Sequence, residues 1–185
     1  MPKNLQDIIE QCKKKDRRGQ KALFNLLGPT LLSVSRRYSP QGIDPKDNLQ
    51  DSFIKIFNRI SSYNSEKGNI ESWAKKILIN TSIDKLKKHR YFFFPEKDML
   101  EIHAIDEMEQ KANSDHLIQL IEQLPDGYKQ VFNLYEIEGY NHQEIAGLMG
   151  ISESTSRSQL YRCKQLLQKM ISKSNHTMNN HLKAL

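Results

Sequence analysis

The sequence predicts an all-α protein built as two small helical domains joined by an acidic linker. Three observations carry that prediction. Apolar residues recur with helical period along almost the whole chain, and no segment alternates apolar and polar residues as a half-buried strand would. Between Pro95 and Lys111, the acidic residues Glu96, Asp98, Glu101, Asp106, Glu107 and Glu109 face only Lys97 and Lys111, and apolar residues are sparse. That is the composition of a tether. Asn141 to Ser158 reads as a helix, a Gly-centred turn and a second helix. The expected domains are therefore residues 1–94 and 113–172, with a linker over 95–112 and a frayed polar tail over 173–185.

The first domain is read element by element. Leu5, Ile8, Ile9 and Cys12 form a short apolar stripe. Ala22, Leu23, Leu26 and Leu27 form another, and Gly28-Pro29 is expected to start a third segment running to Tyr38. Asp44-Pro45 opens a helix to about Ile60, with Asp as cap, Pro in the first turn and Asp47 near the positive helix end. Leu49, Phe53, Ile56, Phe57 and Ile60 share its core face. Asp47, Gln50, Asp51 and Ile54 share a different face, where carboxylates and an amide flank an aliphatic residue. Pattern alone leaves two readings open there: a protein-binding face, or plain surface with one stray Ile.

A loop over Ser61 to Gly68 leads into a helix from Asn69 to about Arg90. Ile70, Trp73, Ala74, Ile77 and Leu78 are its apolar positions, and Trp73 is read as core rather than as a base-stacking platform. Its C-terminal half is cationic: Lys75, Lys76, Lys85, Lys87, Lys88 and Arg90 are opposed only by Asp84. Bases at a helix C-terminus favour the macrodipole, and they can equally track phosphates. The run Tyr91-Phe92-Phe93-Phe94 follows, able to stack bases or to plug the domain's own core.

In the second domain, helical period resumes at Leu117, Ile118 and Ile121, and Leu124-Pro125-Asp126-Gly127 marks a turn. Asn141 and Glu144 have capping-box spacing, with Tyr140 and Ile145 placed as a hydrophobic staple. Gly150 sits where a helix ends left-handed, and Ser152 can cap the next helix. This is the helix-turn-helix plan, whose second helix enters the major groove of DNA. Arg157, Ser158, Arg162 and Lys164 populate the front of that helix, while Leu160, Cys163, Leu166, Leu167 and Met170 form its packing face. Arginine can bond guanine O6 and N7 together, and Ser and Lys can reach bases or phosphates.

Bulk numbers narrow the function. The 185 residues carry a net charge of +6, unevenly spread, which points to an anionic partner. Two distant cysteines, Cys12 and Cys163, fit reduced thiols and no zinc-ligand spacing, so neither a metal nor a cofactor is implied. Lys3, Asp7 and Glu10 interrupt the N-terminal apolar positions, so no signal peptide is read, and no run is long enough to span a bilayer. A cytoplasmic protein is expected. The histidines at 89, 103, 116, 142, 176 and 181 have no plausible catalytic partners, and no phosphate-cradling Gly loop is present, so the chain is read as a non-enzyme.

Both domains together resemble the extracytoplasmic-function (ECF) sigma factors of bacterial RNA polymerase. Asp44-Pro45-Lys46-Asp47-Asn48-Leu49-Gln50-Asp51-Ser52-Phe53-Ile54-Lys55-Ile56-Phe57 is similar to the family's second conserved region. Gly68 to Trp73, followed by Ile77, Asn80 and Ile83-Asp84-Lys85-Leu86, resembles its promoter-melting helix. Leu124 to Phe132, Glu138-Gly139-Tyr140 and the helix-turn-helix resemble the fourth region. The resemblance implies a region 2 helical bundle and a region 4 helix-turn-helix, with core RNA polymerase and promoter DNA as partners. Restraint by an anti-sigma factor is common in the family, and no residue here identifies one.

The same resemblance assigns roles. Asp47, Gln50, Asp51 and Ile54 would dock on the largest polymerase subunit. Lys76, Asn80, Asp84, Lys85 and Lys88, with Tyr63 and Asn64 in the preceding loop, would engage the opened −10 element. Thr155, Arg157, Ser158, Gln159, Arg162 and Lys164 would contact the −35 element as duplex. The acidic tether resembles the segment that threads a polymerase channel. Departures from the family pattern are Asn48 for an aliphatic residue, Asp51 for Glu, Phe57 for Trp, and Ser154 and Ser156 in place of Gly and an apolar residue. Ser156 is expected to loosen the packing of the turn. The alternative function is a free-standing helix-turn-helix regulator that binds duplex DNA only.

Overall fold

The computed structural model describes residues 4–88 and 114–182; the linker 95–112, Tyr91–Phe94 and Arg90 lie outside the described residues. Every regular element among the described residues is helical. The chain divides into two compact units, residues 1–88 and 89–185.

The first unit holds α1 (Leu5–Lys13), α2 (Arg17–Tyr38), α3 (Pro45–Arg59) and α4 (Ile70–Lys88). Asn4, Asp16 and Asp44 each cap a helix, their side chains accepting from Asp7 N, Arg18 N and Lys46 N at 2.8, 2.7 and 2.7 Å. Ile9, Cys12, Leu23, Leu31, Phe53, Ile56, Leu78 and Ile83 are among the side chains that close the core. Helices α1 and α2 cross closely at Gly19, where a Cβ would lie 2.5 Å from Gln11 Cβ and 3.0 Å from Cys12 N.

Two features depart from the sequence reading. Gly28-Pro29 starts no new segment; Pro29 lies inside the continuous α2. Proline forfeits one helical hydrogen bond, and both Pro29 and Asn25, whose carbonyl would have accepted it, are exposed. Helix α4 also lacks a single apolar stripe. Ile70, Ala74, Ile77, Leu78, Ile79, Thr81, Ser82, Ile83 and Leu86 are all buried, so α4 is covered over a broad part of its circumference by α2 and α3.

A polar cluster ties three of these helices together. Asn48 on α3, fully buried, donates from Nδ2 to Ser82 Oγ on α4 at 2.7 Å and to Ser35 Oγ on α2 at 3.2 Å. Ser35 Oγ donates in turn to Pro45 O at 2.7 Å, and Ser52 Oγ to Asn48 O at 2.7 Å. The polar residue at 48 is thus matched by serines on both neighbouring helices.

The second unit holds α5 (Ser114–Glu122), α6 (Asp126–Phe132), a π-helical turn over Asn133–Ile137, α7 (His142–Met149) and α8 (Glu153–Leu182). Leu120, Leu124 and Tyr128 pack with Cys163, Leu166, Leu167 and Met170 of α8 in one cluster, with Ile121 and Phe132 at its edge. The backbone of α8 stays helical to Leu182, whereas a frayed tail was expected from residue 173. No Gly or Pro interrupts it there, so nothing in the sequence stops the helix.

Candidate nucleic-acid interface

In the first unit the mixed face of α3 is presented as a surface. Asp47, Gln50, Asp51 and Ile54 are all exposed, Ile54 by 52 %, while Leu49, Phe53 and Ile56 on the opposite side are buried. An aliphatic side chain half open to water between polar neighbours suits a protein contact.

Along α4, Lys76, Asn80, Asp84 and Lys88 recur every four residues and therefore share one stripe. Lys76, Asp84 and Lys88 are exposed and Asn80 is half-buried. Lys85 faces α3 instead, its ammonium 2.5 Å from Asp51 Oδ2. Asp84 pairs back across the same helices with Lys55 Nζ at 3.6 Å. The sequence reading set Asp84 alone against the α4 lysines; the folded chain sets it against Lys55, and Asp51 against Lys85. Lys55 was missed as a site residue. Its signal was the mirrored order Asp51/Lys55 and Asp84/Lys85, legible only once the two helices are known to pack.

The loop before α4 is structured locally. Asn64 Oδ1 accepts from Glu66 N at 2.8 Å, which leaves its amide NH2 for another partner. Tyr63 is half-buried, donates from its hydroxyl to Gly68 O at 3.0 Å and packs on Trp73 with ring centroids 5.5 Å apart. Trp73 is half-buried rather than core, and it supports the Tyr63 loop from the side. The core reading of Trp73 treated the apolar spacing as inward-facing throughout; the loop returns over its ring instead.

In the second unit the helix pair forms as its capping residues dictate. Asn141 Oδ1 accepts from Glu144 N at 2.9 Å and Asn141 N donates to Glu144 Oε2 at 2.8 Å, a reciprocal capping box. Gly150 adopts φ 67° and ψ 39°, donating to Ala146 O at 2.8 Å to end α7. Ser152 Oγ accepts from Thr155 N at 3.0 Å at the start of α8.

Ser156 does not loosen this turn. It is fully buried, and its hydroxyl lies 2.9 Å from His142 Nδ1, linking the first turns of α7 and α8. Tyr135 stacks on the His142 ring at 4.6 Å. Burial, then the Arg157 charge, holds the His142 pKa below its ordinary value. His142 was passed over in the sequence because no catalytic partner stood near it; its partner is the very serine that replaces an apolar residue.

On the outer face of α8, Arg157, Ser158, Arg162 and Lys164 are exposed and Thr155 is half-exposed. Arg157 pairs with Glu153 one turn earlier, and Lys164 with Glu136 at 2.7 Å; that hydrogen bond raises the Lys164 pKa. Gln159 departs from the expected set. Its side chain is 6 % exposed with Oε1 accepting no hydrogen bond, so it points into the unit and not toward a groove. It stands three residues after buried Ser156 and four before buried Cys163, which places it on the packing side of α8. Among the described residues no cluster of His, Cys, Asp and Glu could hold a metal, and no helix is long and apolar enough to cross a membrane.

Two family models match the chain: Sigma-70 region 2 over residues 23–91 and Sigma-70 region 4 over residues 114–167. Together they span more than half of it. The chain is 27 % identical over 176 residues to the ECF RNA polymerase sigma-E factor of Salmonella typhimurium, covering 88 % of this chain and 91 % of the relative. It is 26 % identical over 126 residues to the ECF RNA polymerase sigma factor SigM of Bacillus subtilis, covering 66 % and 76 %. Among solved structures, the sigma factor RpoE bound to the anti-sigma factor NepR, from Bartonella quintana, has a TM-score of 0.50 at 18 % identity. That alignment covers 82 % of this chain and 96 % of RpoE, a likeness of fold.

Proposed function

The chain belongs to the sigma-70 family, in its ECF group, and from that premise we propose that it binds core RNA polymerase and directs promoter-specific initiation in the cytoplasm. One observation carries the reading: a mixed docking face and a cationic helix in the first unit accompany a fully capped helix-turn-helix in the second. A free-standing duplex regulator needs only the latter.

Under this reading Asp47, Gln50, Asp51 and Ile54 dock on the polymerase. Lys76, Asn80, Asp84, Lys85 and Lys88, with Tyr63 and Asn64, hold the opened −10 strand. Thr155, Arg157, Ser158, Arg162 and Lys164 face the −35 duplex. The factor catalyses no bond change. Melting is differential binding, in which captured unstacked bases offset the few kcal/mol of unpairing per flipped base. Anti-sigma factors, named in the structure of the relative RpoE, are a further partner class.

The experiment is co-elution with bacterial core polymerase. The wild-type chain is expected to co-elute, and Asp51→Arg is expected to abolish co-elution with helicity unchanged. Retained binding by the variant removes the α3 face from the reading. No binding by either chain, with tight duplex binding by both, favours the free-standing regulator.

A further inference from the structure

The ion pair between α3 and α4 joins two surfaces with different assignments. Asp51 stands on the exposed docking face of α3, and Lys85 belongs to the cationic half of α4. Their charged atoms are 2.5 Å apart, and the Lys85 side chain is only 20 % exposed while that of Asp51 is 51 % exposed. The Asp51 side chain is therefore open to solvent while most of the Lys85 side chain is covered. The neighbouring Lys55–Asp84 pair at 3.6 Å crosses the same helices with the charges exchanged, which fixes how the helices face one another. Lys76 and Lys88 make no ion pair among the described residues, so Lys85 is the lysine of the proposed strand-binding set whose charge is already neutralised.

We propose that the Asp51–Lys85 pair is a coupling device: in the free chain Asp51 sequesters Lys85, and a cationic or hydrogen-bond-donating partner engaging Asp51 releases the Lys85 ammonium to a DNA phosphate. The proposal rests on the sigma-factor reading for the identity of the partner, but its core is intramolecular and can be read without polymerase. A phosphate and a carboxylate compete for one ammonium, so each weakens the other's hold. An exposed pair of this kind limits the gain to about two- to five-fold in affinity. Freeing one lysine adds one phosphate contact, steepening the salt dependence on single-stranded DNA by about 0.7 in log–log slope.

The test uses the full chain and a fluorescein-labelled 15-nucleotide oligothymidine, titrated by anisotropy across a series of KCl concentrations. This probe reads phosphate contacts without needing the promoter sequence. Four proteins are compared: wild type, Asp51→Asn, Lys85→Met and the double variant. Asp51→Asn is expected to bind about two- to five-fold tighter with the steeper slope, and the gain is expected to vanish when Lys85 is Met. The same gain in the Lys85→Met background would trace it to bulk charge and overturn the proposal. No gain from Asp51→Asn, with binding weakened by Lys85→Met, would overturn the sequestration while leaving α4 as a DNA-binding helix. Indifference to both substitutions would remove Lys85 from the DNA surface and overturn the coupling together with that part of the functional reading.

Discussion

Replacing Asn48 tests how the first unit is held. Asn48→Ala removes two buried hydrogen bonds, to Ser82 and Ser35, and leaves a void between three helices. At roughly 0.5–1.5 kcal/mol per bond plus the cavity, the loss should be about 2–3 kcal/mol. Asn48→Leu differs in sign of its parts. It forfeits the same two bonds, but it also removes Oδ1, which is buried without a hydrogen-bond partner, and fills the space with apolar atoms. Ser35 and Ser82 keep their donor bonds, to Pro45 O and to Leu78 O at 3.0 Å, so neither hydroxyl hydrogen is stranded. Leucine should therefore cost less than about 1 kcal/mol. The chain's single tryptophan, Trp73, lies in this unit, so urea unfolding followed by its fluorescence reports this unit selectively within the full-length protein. A leucine variant as unstable as the alanine variant would show that the polar contacts outweigh packing, and would refute the reasoning.

Gly19→Ala should destabilise the same unit by about 1–3 kcal/mol, because backbone and Cβ atoms of α1 block the added methyl; an unchanged urea midpoint would contradict the close crossing. Burial pushes the Cys12 thiol up to about 11, with Asp16 adding to it, and the Cys163 thiol up to about 12. Both should resist Ellman's reagent at pH 8 until the chain is unfolded. Since the folded pKa values are raised, the stability they carry is intact below about pH 9 and falls as pH climbs through the folded values. Arg157→Ala should relax preference at the −35 element and cost about 1–3 kcal/mol in duplex affinity if the guanidinium reads a base. Equal losses on random duplex in a competition assay would assign it to phosphate instead.

The sequence was most legible where local chemistry decides the structure. The capping box at Asn141 and Glu144, the left-handed Gly150 and the Asp44-Pro45 helix start all follow from side chains satisfying nearby backbone groups. The exposed face of Asp47, Gln50, Asp51 and Ile54 was equally visible, since helical spacing alone separates it from Phe53 and Ile56. What failed depends on partners distant in sequence. Gly28-Pro29 looked like a break because local propensity does not record that the proline faces water. Asn48 looked like a bare departure from the pattern, and Ser156 like a loosened turn, because their partners, Ser35, Ser82 and His142, lie 13 or more residues away. Gln159 looked like a groove reader because one position along a helix separates the outer face from the packing face.

Run-off transcription on a genomic promoter library, with bacterial core polymerase in the presence and absence of this protein, tests the central claim most directly. The account predicts protein-dependent start sites that share paired −35 and −10 elements. Failure to produce such starts, despite tight binding of the free protein to duplex DNA, would contradict it.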